Sequence, residues 1–203
     1  MFPPGGRMQL ERLPPELTIP GLNPAVMTAA LGPRLTLLWG AAAPTRTLLS
    51  MATLLAARGE ALRLFDGGNR FDGYFVARLA RRLTDKPHGV LGRLRLSRAF
   101  TCFQLAELIE STAPDGSPLF VLDLLSTFYD ESVPLRDVER LLSETIAHLK
   151  WLAASGPVIV GACEPQALVK DRWGLLDQLQ LSADSAWMLR APIEASVEQP
   201  RLF

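Results

Sequence analysis

What most constrains the fold of this chain is an alternation along its whole middle: short apolar runs, each followed by a longer stretch with apolar residues at helical spacing. A continuously apolar run suits a strand covered on both faces, and strands alternating with helices mark a parallel sheet flanked by helices. Arg34–Trp39 reads as the first buried strand. Thr45–Ala57 reads as the helix after it, with Leu48, Leu49, Met51, Ala52 and Leu55 inward and Gly59 as the stop. Ala61–Phe65 is a second strand, ending at Asp66. Asp72 then starts a helix with Phe75, Val76, Leu79 and Leu83 inside and Arg78, Arg81 and Arg82 outside. Leu91–Leu96 alternates as a half-exposed strand, and Thr101 caps a helix running to about Ser111. Leu119–Leu122 delivers Asp123 at its carboxyl end, Pro134 opens a long helix through Trp151, Val158–Val160 is buried strand, and Ser185–Leu189 supplies a short final strand. The expected fold class is α/β, a mostly parallel twisted sheet with helices on both faces.

At 203 residues the chain suits one such domain. Residues 1–24 hold Pro3, Pro4, Pro14, Pro15, Pro20 and Pro24 with Gly5, Gly6 and Gly21, a composition expected of a flexible arm, which leaves 25–203 for the core. Basic and acidic residues balance at 21 each, so no global charge argues for nucleic acid or a membrane surface. The charge is unevenly spread, however: between Arg63 and Arg98 nine basic residues face three acidic ones, which leaves the remainder of the chain with an excess of six acids. Cys102 and Cys163 lack Cys-x-x-Cys spacing and sit in apolar contexts, so reduced thiols in the cytoplasm are expected rather than a disulfide or a zinc site. Leu35–Ala57 is broken at its centre by Pro44 and Arg46, and the N-terminus lacks the features of an export signal. No membrane partner is expected.

The turn Gly40-Ala41-Ala42-Ala43-Pro44-Thr45-Arg46-Thr47 lies between the first strand and the first helix, where a phosphate-binding loop belongs. Such a loop needs Gly, four residues, then Gly-Lys-Ser/Thr: backbone N–H groups cradle phosphates, Lys reaches the outer phosphates and the hydroxyl holds magnesium. Gly40 and Thr47 fit that frame. Pro44 has no N–H, Thr45 stands where a glycine is needed, and Arg46 keeps the charge without the compact ammonium.

Three further segments carry a family resemblance. Leu64-Phe65-Asp66-Gly67-Gly68-Asn69-Arg70-Phe71 looks like the "DTEGTF" segment of the RecA/RadA recombinase superfamily, with Asp66 and Phe71 in register. Leu96-Ser97-Arg98-Ala99-Phe100-Thr101 is similar to the "ARAF" segment of the archaeal and eukaryotic branch. Leu119 to Tyr129 resembles its Walker B region, retaining Asp123 and Tyr129. The likeness covers roughly residues 20 to 190. It implies a RecA-like core with a vestigial nucleotide site at Gly40, Arg46, Thr47 and Asp123, the last two also a vestigial magnesium site. It also implies two losses. Gly68 stands where the family has the glutamate that polarises the attacking water, and Gly161-Ala162-Cys163-Glu164 replaces the trio whose glutamine senses nucleotide.

Arg78, Arg81, Arg82, Arg93, Arg95 and Arg98 are candidates for phosphate contact with DNA, weighed against a solvated helix face. Arg93 and Arg95 are expected to share a strand face and to be able to meet the acid-rich stretch from Glu107 to Glu144 of a neighbouring copy. His88 and His148 are too far apart for a metal site. Phe103-Gln104-Leu105-Ala106 matches a recombinase polymerisation motif in form but falls inside a helix, where core packing accounts for it. Of four tryptophans, Trp173 is expected to be the exposed one. The combined expectation is a domain without ATP turnover or a required cofactor, acting as a binding or scaffolding accessory factor in DNA recombination or repair. Its partner would be a recombinase or a paralog, with homo-oligomers and DNA as further partners. The alternatives are a weakly active ATPase, with Arg46 for lysine and Glu164 for the missing acid, and a KaiC-like regulatory protein.

Overall fold

The computed structural model describes residues 30–42, 44–166 and 170–189; the Pro/Gly-rich arm at 1–24 lies outside them, as does Ala43. Six strands form one sheet: β1 (Leu35–Gly40), β2 (Leu62–Asp66), β3 (Leu94–Arg98), β4 (Leu119–Leu122), β5 (Val158–Cys163) and β6 (Ser185–Met188). Among the described residues six complete α-helices accompany them: α1 (Thr45–Ala57), α2 (Gly73–Leu83), α3 (Pro87–Arg93), α4 (Cys102–Glu110), α5 (Leu135–Ala153) and α6 (Trp173–Ser182). Strand order is β3-β2-β4-β5-β1-β6, and every pairing is parallel.

Period-2 alternation sorts the strand residues between two cores. Leu38, Leu62, Leu64, Phe120, Leu122 and Ile159 face α1, α2 and α3. Leu35, Leu37, Phe65, Val121, Val158 and Val160 face α4, α5 and α6. The central strands are apolar on both faces because helices cover both, as their continuous runs in the sequence require. Asp72 and Thr101 act as N-caps, accepting from Phe75 N at 2.9 Å and Gln104 N at 3.2 Å.

Three expectations need correction. Leu91 to Arg93 belong to α3 rather than to a strand: Pro87 opens that helix, Val90 buries its inner side, and β3 begins only at Leu94. Arg93 therefore shares no strand face with Arg95. It turns back and donates to the carbonyl of Ala56 at 3.1 Å, one of the last carbonyls of α1. Trp151 is more exposed than Trp173, 51% against 40%, because it lies on the outer side of the last turn of α5. Within the Phe103–Ala106 motif, Leu105 and Ala106 are buried as expected, while Phe103 is half exposed.

Candidate functional site at the carboxyl ends of the strands

Ligands of open parallel sheets bind beyond the carboxyl ends of neighbouring strands whose following helices leave to opposite faces. That condition holds between β1 and β5, since α1 and α6 lie on opposite faces, and again between β2 and β4, since α2 and α5 do. The first crevice is open and the second is filled.

The β1/β5 crevice is a cavity of about 780 Å³ lined by Gly40, Ala41, Ala42, Pro44, Thr45, Arg46, Thr47, Glu164, Met188 and Leu189. It thus brings together three of the four residues picked out for a nucleotide. Gly40 has a structural reason to be glycine, because a Cβ there would collide with the carbonyl oxygen of Leu189. Leu189 N donates to Trp39 O at 2.7 Å, and Glu164 N donates to Gly40 O at 2.9 Å, so the chain following β5 and β6 is tied to the turn. Pro44 is the N-cap residue of α1 and gives it no side-chain cap. The Arg46 guanidinium lies 5.7 Å from the centroid of the Phe75 ring on α2, a cation–π contact. Thr47 is half-buried at the cavity wall.

Asp123 is not part of that wall. It follows β4, which β5 separates from β1, and its fully buried side chain bridges the segments that end β2 and β5. One carboxylate oxygen accepts from Arg70 Nε at 3.0 Å and the other from the backbone N–H of Cys163 at 3.2 Å. Its own backbone is left-handed, φ 51°. Asp66, also fully buried at its side chain, accepts from the backbone N–H groups of Arg70 at 2.7 Å and Phe71 at 3.0 Å, with Arg98 Nε at 3.4 Å. Two buried carboxylates thus meet two half-exposed guanidiniums and three backbone donors. Buried charges need such compensation.

Gly68 completes this packing. A Cβ on it would stand 2.7 Å from Asp123 Cβ and 2.8 Å from Asp123 Oδ2, so no larger residue fits while Asp123 keeps its place. Cys163 lies at the same junction; burial first, then the Asp123 carboxylate, pushes its thiol up to about 12. The Tyr129 hydroxyl donates to Cys163 O at 3.0 Å, and burial raises its phenol above the ordinary range. As a magnesium site the donor set does not fit: both Asp123 oxygens are engaged by protein donors. Among the described residues no group of three or more His, Cys, Asp or Glu side chains is placed to hold a metal ion.

The six arginines weighed for DNA divide. Arg78, Arg81 and Arg82 are exposed on α2 and Arg95 on β3, whereas Arg93 and Arg98 are engaged internally with Ala56 and Asp66. Sequence reasoning missed Arg70, the counter-ion of Asp123. Nothing in its spacing signals a partner 53 positions away. No protein-family model matches this chain, and no curated protein does. Among the described residues no helix is long and apolar enough to cross a membrane.

Proposed function

We propose that this chain is a RecA-like domain without ATP turnover that works as a binding or scaffolding subunit, the resemblance supplying DNA recombination or repair as its setting. The observation that carries the reading is the engagement of Asp123. In a working site of the resembled family this carboxylate would serve the nucleotide's metal; here Arg70 and Cys163 N take both its oxygens. The packing of Gly68 against Asp123 adds to it, because the position that would need a glutamate has no room for one. The working surfaces are then the helical layers flanking the sheet. Because Arg93 and Arg98 are engaged within the domain, association with protein stands ahead of direct contact with DNA. A recombinase or a paralog is the partner the resemblance points to.

One observation favours a second reading. Glu164, Arg46 and Thr47 line the same cavity, so a weak hydrolase with an atypical loop has an acid, a cation and a hydroxyl within one crevice. Phosphate release from magnesium-ATP separates the two. The expected result is no turnover above background, and turnover abolished by Asp123→Ala would overturn the scaffold reading. Calorimetric titration with ATP is the companion measurement: micromolar affinity lost on Thr47→Ala would support the hydrolase.

A further inference from the structure

The helices on the two faces of the sheet differ in charge more than solubility requires. α1, α2 and α3 carry Arg46, Arg78, Arg81, Arg82 and Arg93 and no carboxylate. On the opposite face, α4, α5 and α6 carry Glu107, Glu110, Asp137, Glu139, Glu144 and Asp177 against Arg136, Arg140 and Lys150, and all six acids are exposed. A face that needs only solvation mixes its signs, as α5 does where Arg140 donates to Glu144 at 2.8 Å. The outer face of α2 does not. Arg78 and Arg82 stand one turn apart with Arg81 between them, a spacing at which like charges repel. Among the described residues none of the three is paired with a carboxylate. The helix dipole favours Arg81 and Arg82, both in the last turn, but offers nothing to Arg78. Arg78 instead lies 6.0 Å from the ring centroid of Tyr74, itself 75% exposed.

The chain as a whole is neutral, 21 basic residues against 21 acidic. A neutral molecule creates little long-range field to draw in a polyanion, and its copies approach one another without net repulsion. We propose that the arginine face of one copy, centred on α2, docks on the acidic face formed by α4 and α5 of a second copy. The two faces lie on opposite sides of the sheet, so the contact is head-to-tail, leaves one unmatched face at each end, and repeats. It goes beyond the loss of turnover and does not depend on it: ATP hydrolysis would sink that reading and leave this one standing.

Light scattering of the full chain tests the proposal at about 20 mM salt, where screening is weak, and about 500 mM, where it is strong. The expected average mass at low salt is at least twice the 22.2 kDa of one chain, rising with protein concentration and returning to one chain at high salt. The variant R78E/R81E/R82E is expected to be monomeric, and so is E107K/E110K/E139K. An equimolar mixture of the two is expected to regain the mass, because each then offers the charge the other lacks. Far-UV circular dichroism checks that both variants fold, and the salt dependence of the parent chain stands whether or not they do. A parent chain that stays monomeric at low salt would overturn the proposal, as would assembly indifferent to salt, or a mixture of folded variants that remains monomeric. A monomeric parent whose α2 arginines bind a single-stranded oligonucleotide would reassign the face to nucleic acid.

Discussion

Gly68 and Asp123 lie 55 positions apart in the chain, yet the carboxylate of one occupies the space a side chain on the other would need. Overpacking a rigid junction of this kind costs about 2 kcal/mol. Gly68→Ala is therefore expected to lower the unfolding free energy by that amount, read as a lower urea midpoint with an unchanged slope. In a double-mutant cycle with Asp123→Gly the cost should largely disappear, since both colliding atoms, Cβ and Oδ2, are then gone. Additive effects of the two substitutions would show that Gly68 is glycine for some other reason. From the sequence, Gly68 is legible only as a missing glutamate, a loss relative to a resembled family. The structure adds a positive cause, the room that the Asp123–Arg70 pair requires. No sequence signal announces that pair, because it depends on β2 and β4 being neighbours.

Elements with their own local logic are legible. Asp72 and Thr101 sit where caps belong, and both accept the expected N–H. Asp72→Ala should cost about 1 kcal/mol and fray the first turn of α2, read as a lowered thermal midpoint with loss of helical ellipticity. An unchanged midpoint would mean that the cavity-side contacts of Phe75 hold that turn without its cap. The Leu91–Leu96 stretch is the instructive failure. Its alternation of leucine with arginine satisfies a strand, but Pro87 starts a short helix whose buried Val90 packs into the α1–α2 layer, so the first half follows helical spacing. Period alone does not separate a two-turn helix from a strand of the same length. Buried surface on one neighbour decides it, and that neighbour is remote in sequence. The turn at 40–47 is legible in the same way: Gly40 and Thr47 line the crevice beyond β1, between strand and helix.

At the scale of the sheet, β4 and β5 lie between other strands and under helices on both faces, whereas among the described residues β3 pairs on one side only. Their amides should exchange with solvent only through global unfolding, and those of β3 should exchange faster through local opening. Equal protection of β3 and β4 in hydrogen-exchange measurements would contradict this layering. The same layering turns the neutral composition into two oppositely charged faces, a property invisible while the charges are counted along the chain. The amino-acid order by itself determined the α/β class, the strands that are buried and most helix starts, because apolar period, prolines and capping residues act within a few residues of one another. Tertiary structure alone decided the strand order, the capture of Asp123 by Arg70, and the division of charge between faces. Each of these depends on which strands become neighbours, and burial of both sheet faces against distant helices selects that pairing.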